Sequence, residues 1–320
     1  MKTKNLIILI IILTLSVLSY CYLLPRNNNK DTIAIFTTIH HPALDDVRDG
    51  FIKEIKINYP EVKLVDYNAE GNVQQANIIA SQIANNKNIM GVLSIGTLAA
   101  QSMAKKELIK PIVIAAVSDV KLIQSQGNNV CGMTDTIDAN YQMDTIIDIL
   151  PNIKSISLLY SPHEANSISM VENLKKAALQ KNITINLVGA FDAQQISSAS
   201  LLACKKSDAV LIPLDNQLVA AMPVVIKSTK SLSCPIITSN ESPIHQGASM
   251  AFGVNYKKSG ADAALIMSKI IDTSKTYQEI GFIEPDIINL YINKKVIDQK
   301  NITLNENTKS KIIMINSEEN

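Results

Sequence analysis

Two kinds of hydrophobic pattern divide this chain. From Leu6 to Leu24 the run LIILIIILTLSVLSYCYLL carries no charge, and its length is close to the ~20 residues that a bilayer-spanning helix needs. Lys2 and Lys4 precede it and Pro25 ends it. After the linker PRNNNK the pattern changes to short β-branched apolar runs alternating with amphipathic stretches, the signature of βαβ units around a parallel sheet. Strands are predicted at Thr32–Ile39, Val62–Asn68, Met90–Ile95 and Pro111–Val117, with helices near Ala43–Asn58, Val73–Asn86 and Leu98–Glu107 between them. Leu44, Val47, Phe51 and Ile55 supply the three- and four-residue spacing of a buried helical stripe.

After a helix ending at ILPN, where Pro151 marks a boundary, the order restarts. SISLLYS leads into a helix over Glu164–Gln180, ITINLVGAF into Gln194–Lys205, AVLIPL into Asn216–Thr229, and PIITSN ends the set. Strands beginning at Thr32, Met90 and Pro111 find counterparts near Ser155, Ala209 and Pro235, each displaced by about 120 residues. The expected fold is α/β: two doubly wound parallel-sheet lobes joined by a hinge, preceded by an N-terminal transmembrane helix. The expected division is residues 1–30 as membrane anchor or signal segment, 31–150 as lobe 1 with a contribution from the returning C-terminal segment, 151–280 as lobe 2, and 281–320 as returning strand, helix and tail. The crossings between lobes are expected in that returning stretch and around Gly127–Asp135.

Composition narrows the functional classes. A hydrophobic content of 47% suffices for two cores. Thirty Lys and Arg balance 29 Asp and Glu with no dense basic block, so nucleic acid is not an expected partner. The apolar N-terminal run exceeds a usual secretory core of about 7–15 residues and lacks an A-x-A-like site, which favours an uncleaved anchor; the alternative is a lipoprotein signal, with Cys21 of LSYC as the modified residue. Either places the remainder on the periplasmic or extracellular side, membrane-anchored. Cys131, Cys204 and Cys234 show no C-x-x-C spacing and read as small buried hydrophobes, with a Cys204–Cys234 disulfide as the alternative suited to an exported chain.

Polar clusters fall at nearly every predicted strand end: HHPALDD, GTLAAQ, AVSD, SPHEANS, LDNQ and SNES. Singly, each is a good helix start. Together they place helix N-termini around one cleft, a setting for a carboxylate beyond the carboxyl ends of the strands. His41 and Asp45, four apart, could share a helix face as a metal pair, yet Pro42, Asp45 and Asp46 are what a helix's first turn favours. H-E-x-x-H, G-x-S-x-G and G-x-x-x-x-G-K are absent from the sequence. No catalytic residue, cofactor or metal is assigned; a metal-dependent hydrolase using His40, His41 and Asp45 is the rival class.

HPALDDVRDGF, GTLAAQSMA, AAVSD, LYSPHEANS, IPLDNQLV and INKK resemble, in order, motifs of exported ABC-transporter substrate-binding proteins of the tryptophan/tyrosine-binding type, over about Thr32 to Ile302. The resemblance implies a two-lobed, type I periplasmic-binding-protein-like fold and a non-enzymatic solute-binding component of an importer, which closes on a small solute such as an amino acid, with an aromatic one as the finer possibility. It hands that solute to a membrane permease and its ATPase. A membrane-tethered sensory ligand-binding module is the alternative. An amino acid needs donors for its carboxylate, for which Thr97, Ser161 and Ser167 are the candidates, and an acceptor for its ammonium group, for which Asp119, Asp215 and Glu241 are. Asn166 and Asn216 could orient either end, and His41 is a further candidate.

Overall fold

The computed structural model describes residues 32–123, 128–273, 277–285, 288–305 and 312–315. The described part of the chain begins with β1 (Thr32–Thr37), α1 (Pro42–Asn58), β2 (Lys63–Asn68), α2 (Val73–Asn85), β3 (Ile89–Ile95), α3 (Thr97–Lys106), β4 (Ile112–Val117) and β5 (Val130–Thr134). It continues with α4 (Ala139–Ile149), β6 (Ser155–Tyr160), α5 (Ala165–Gln180), β7 (Thr184–Gly189), α6 (Ile196–Lys206), β8 (Ala209–Ile212), α7 (Asn216–Ala220), α8 (Met222–Thr229), β9 (Ile236–Thr238) and β10 (Met250–Gly253). It ends with α9 (Tyr256–Thr273), α10 (Tyr277–Ile280), β11 (Phe282–Ile283), β12 (Asn289–Asn293), α11 (Lys294–Gln299) and β13 (Ile312–Ile315).

The first sheet has strand order β11-β5-β4-β3-β1-β2 and the second β13-β12-β10-β9-β8-β6-β7. Every pairing is parallel except that of β10 with β12. Central strands such as TIAIFT and IVIAAV are buried throughout, because a parallel sheet is covered on both faces. The edge strand KLVDYN buries none of its residues and carries charges that discourage further pairing. Alternate residues serve opposite faces. Ile33 and Ile35 meet Val47, Phe51 and Met267 of α1 and α9, whereas Ala34 and Phe36 meet Ile79, Ile83 and Met103 of α2 and α3. The second sheet repeats this plan, with α4 and α5 on one face and α6 and α8 on the other.

The crossings decide which sheet a helix serves. Although α4 precedes Pro151, its Met143, Ile146 and Ile149 join the core of the second sheet. Although α9 follows β10 of the second sheet, its Ala263, Ala264 and Met267 return to the core of the first. The chain therefore passes between the sheets after β5, between β10 and α9, and between β11 and β12.

Two glycines let α1 and α9 approach. A Cβ on Gly50 would lie 2.0 Å from the Lys257 carbonyl oxygen, and one on Gly260 would lie 2.0 Å from that of Val47. Backbone cannot give way as a flexible side chain does, so Gly260→Ala forces the helices apart. The expected cost is about 1–3 kcal/mol, read as a lowered midpoint in thermal denaturation followed by circular dichroism; an unchanged midpoint would show that the helices part freely.

One expectation is corrected. No helix among the described residues is long and apolar enough to cross a membrane. The segment Leu6–Leu24 and Cys21, on which the transmembrane helix, the anchoring contact with the membrane and the membrane-anchored localisation rested, lie outside the described residues. Those readings are withdrawn. Cys131, Cys204 and Cys234 are free thiols, all buried.

Candidate functional site

In each sheet the parallel strands end at a common edge, and the segments that leave those edges meet in a central cleft. His41 follows β1, Thr97 opens α3 after β3, and Ser118 follows β4; opposite them stand Asn166, Asp215, Asn216 and Asn240 of the second lobe. These residues enclose a cavity of about 10 Å³. A larger cavity of about 380 Å³, which shares Thr97, Asn166 and Asn216 with it, opens toward Ile39, Val73 and Leu98. The lobes are joined across the cleft by His41 Nε2 to Asn216 Oδ1 at 3.1 Å, Ser169 Oγ to Asp119 Oδ2 at 2.6 Å and Asn240 Nδ2 to the Tyr256 hydroxyl at 3.4 Å.

Ser161, Ser167 and Asp215 form one cluster. The Asp215 carboxylate accepts from Ser161 N at 2.6 Å, Ser161 Oγ at 2.9 Å, Ser167 Oγ at 2.7 Å and Leu218 N at 2.9 Å. It thereby caps α7 and ties together the ends of β6 and β8 and the first turn of α5. Burial raises its pKa, and these donors oppose that rise. Glu164 lies beside it and accepts from Asn216 N, Gln217 N and Asn216 Nδ2 at 3.0, 2.7 and 2.9 Å. Burial and then the charge of Asp215 push the Glu164 carboxyl upward, so the pair favours holding a proton on Glu164. Asn166 Nδ2 donates to Leu214 O at 2.7 Å. The N-terminus of α7 is thus closed by two carboxylates. By contrast, α1 and α5 begin at the cleft with no side-chain cap, and in the first turn of α3 the Ala99 N–H donates to Thr38 Oγ1 at 3.2 Å.

Five buried side-chain polar atoms among the described residues have no hydrogen-bond partner, and two of them, His41 Nδ1 and Asp135 Oδ1, belong to residues lining the central cavity. Burial holds the His41 imidazole below its ordinary pKa, so the ring is neutral. With Nε2–H donated to the Asn216 amide oxygen, Nδ1 carries a lone pair. Asp135 lies on the first crossing, directly after β5, and Tyr256 lies on the second, at the start of α9. The Tyr256 hydroxyl donates to Asp135 Oδ2 at 3.0 Å, leaving Oδ1 unmatched. Burial pushes the Asp135 carboxyl up to about 6.

The remaining candidates lie farther out. Asp119 caps a short turn through Lys121 N and bonds Ser169. Glu241, half-buried and raised by desolvation, faces Asp46, His245 and Tyr291 in a separate cavity of about 410 Å³. The opening motif does not assemble a metal site: His40 pairs with Asp45 at 2.7 Å on the surface, while His41 turns to Asn216. Among the described residues no group of three or more His, Cys, Asp or Glu could hold a metal ion. Asp135, Tyr256 and Glu164 escaped the sequence reading. The Thr-Asp pair ending the predicted crossing around Gly127–Asp135, like the Ser-Asp after β4, was a usable signal for the first; Tyr256 looks like an ordinary helix start.

Two similar α/β lobes, three crossings and a polar cleft at the strand ends define a two-lobed small-solute-binding protein. The chain belongs to the family described as ABC transporter substrate binding protein, which it matches over residues 32–312. It is 27% identical over its whole length to a tyrosine-binding protein of Clostridioides difficile, 98% of which is covered. Among solved structures, a conserved domain protein of Vibrio cholerae is 28% identical with a TM-score of 0.81, over 87% of this chain and 96% of that one. An ABC domain from Streptococcus pneumonia in complex with L-Trp has the same fold, with a TM-score of 0.81 at 24% identity over 88% of this chain and 99% of that one. The fold is that of a non-catalytic substrate-binding protein.

Proposed function

We propose that this chain captures an amino acid with a bulky, aromatic side chain between its lobes and delivers it to a permease driven by a separate ATPase. The observation that carries this reading is the pair of buried acceptors, Asp135 Oδ1 and His41 Nδ1, on residues lining one cavity. Buried acceptors need donors, and an α-ammonium group supplies three. Asp135 bears the charge that pairs with it, in a cleft where a charge-assisted hydrogen bond is strong. The carboxylate then lies toward the uncapped start of α1 and the first turn of α3, near Thr97, where the helix dipoles favour an anion. The side chain extends into the cavity of about 380 Å³ past Leu98 and Val73. The tyrosine-binding relative and the L-Trp complex support an aromatic cargo.

In this reading Asp215, Ser161 and Ser167 hold the wall rather than the cargo, and Asn166 and Asn216 position its second-lobe side. Solute bridging Asp135, His41 and the second lobe shifts a pre-existing open–closed equilibrium toward closure. The test is thermal unfolding of the protein against the twenty amino acids. Saturation at a hundredfold excess over Kd adds about 2.7 kcal/mol of stability. A rise confined to tyrosine, tryptophan or phenylalanine supports the reading; a rise with an aliphatic or acidic amino acid alone would replace the cargo, and no rise with any would sink it.

A further inference from the structure

One of the interlobe bonds belongs to neither solute cavity. Ser169 Oγ, on the second turn of α5, donates to Asp119 Oδ2 of the first lobe at 2.6 Å. Both residues are half-buried and line a separate cavity of about 300 Å³ between the lobes, together with Thr136 of the first crossing. Four other helical serines spend this hydroxyl on their own helix: Ser81, Ser200, Ser228 and Ser268 donate to the carbonyl oxygen four residues back at 2.9, 2.6, 2.7 and 2.9 Å. Ser169 turns to the opposite lobe instead. Its acceptor is held in place, because Asp119 Oδ1 accepts from Lys121 N at 2.9 Å, Thr136 Oγ1 donates to Ser118 O at 2.8 Å and Gln101 Nε2 donates to Leu122 O at 3.1 Å. The same segment reaches the solute cavities: Ala116 and Ser118 line the central one and Gln101 the larger. Ala116 stands in the left-handed region at φ 55°, where β4 sets Ala115 and Ala116 against Met133 of β5, and such a bulge re-aims the end of a strand.

We propose that Ser169 and Asp119 determine solute affinity without touching the solute: their bond is a latch that forms only when the lobes meet, and it sets the fraction of the chain that is closed before solute arrives. Opening the cleft parts donor from acceptor, and each has a substitute. The Ser169 hydroxyl turns back to Ala165 O, four residues earlier, and the Asp119 carboxylate keeps its Lys121 N–H and gains water. The bond is therefore readily broken and remade, as reversible capture requires. Apparent affinity for a solute held by the closed form scales with the closed fraction, so losing the latch weakens capture of every solute by the same factor. A residue in contact with the solute would instead discriminate between solutes. Because the latch holds only the closed form, its loss speeds release more than it slows association. The affinity half of this inference rests on the solute-capturing reading above; the closed fraction without solute does not.

Small-angle scattering of the protein without added solute is paired with calorimetric titration of each amino acid that raises its melting temperature. Ser169→Ala is expected to weaken affinity about fivefold. Ser169→Asp sets two carboxylates against each other, so affinity falls about tenfold or more and the radius of gyration without solute increases. Adding Asp119→Ser to Ser169→Asp exchanges donor and acceptor, and is expected to restore the radius of gyration and bring affinity to within about threefold of the unaltered protein. Circular dichroism of each variant separates opening from unfolding. A radius of gyration unchanged in Ser169→Asp would overturn the proposal, as would a double variant no better than Ser169→Asp alone. Affinity losses that differ between solutes by more than about threefold would overturn it too, by placing the pair in contact with the solute. Expansion of Ser169→Asp in a protein that binds no amino acid would uphold the latch and strike the cargo reading alone.

Discussion

Asp135→Asn is expected to abolish solute capture while raising the stability of the protein measured without added solute. Both effects come from one buried carboxylate. Its pKa of about 6 lies above the ordinary 3.8, because burial penalises the charged form. The folded state therefore binds more protons than the unfolded state between about pH 4 and pH 6, so stability falls as pH rises through that window and levels off above it. The full penalty at pH 7.5 corresponds to about 3 kcal/mol. Asparagine keeps an acceptor for the Tyr256 hydroxyl and carries no charge, so its melting temperature at pH 7.5 is expected to exceed that of the unaltered protein, and the fall in stability between about pH 4 and pH 6 is expected to be smaller than in the unaltered protein by the contribution of this one group. A bound ammonium reverses the sign for the unaltered protein by stabilising the ionised carboxylate, so affinity increases as pH rises from 5 to 7. Removing the charge from this contact is expected to cost about 2–5 kcal/mol in affinity, more than tenfold and up to several thousandfold. Calorimetric titration with the amino acid identified by thermal shift, together with melting curves across pH, checks both halves. Affinity within threefold of the unaltered protein, or a lower melting temperature at pH 7.5, would remove Asp135 from the site.

The second large effect is expected at Asp215, and it is structural. Asp215→Ala removes the acceptor of four hydrogen bonds and leaves two backbone N–H groups and two hydroxyls in a buried setting. Each buried donor left unmatched costs about 1–3 kcal/mol. Rotation of the Ser161 and Ser167 hydroxyls recovers part of this, so a net loss of about 4 kcal/mol is expected, enough to lower the melting temperature by roughly 10 °C. Asp215→Asn retains one acceptor oxygen and is expected to lose less. Chemical denaturation of both variants gives the comparison; a loss below about 1 kcal/mol for alanine would mean that the cluster is held by other contacts. Loss of solute binding in Asp215→Ala reports a collapsed wall before it reports a lost contact, whereas Asp135→Asn separates the two by moving stability and affinity in opposite directions.

Much of the fold was legible because parallel strands covered on both faces must be apolar along their whole length, and the helices between them must carry a stripe at three- and four-residue spacing. TIAIFT, IVIAAV and SISLLY stand out for this reason, as does the repetition of the βαβ order in the second half. The assignment of helices to lobes was not legible. α4 and α9 show the amphipathic pattern that any covering helix shows, and their destinations follow from crossings that carry no pattern of their own.

The same division holds at the site. Sequence alone determined that polar groups cluster at the strand ends, since a strand entering a helix needs turn and capping residues there, and Ser161, Ser167, Asp215, Asn166 and Asn216 were all found in this way. Tertiary structure alone decided which of their lone pairs and protons were already committed. Ser161 and Asp215 are 54 residues apart, and Asp135 and Tyr256 are 121 apart. Hydrogen bonds across such separations are set by how the sheets are wound and the lobes are crossed, whereas local patterning records only each residue's near neighbours. Asp215 thus proved to be saturated by its own chain, and Asp135, inconspicuous in the sequence, was left with an oxygen in need of a donor.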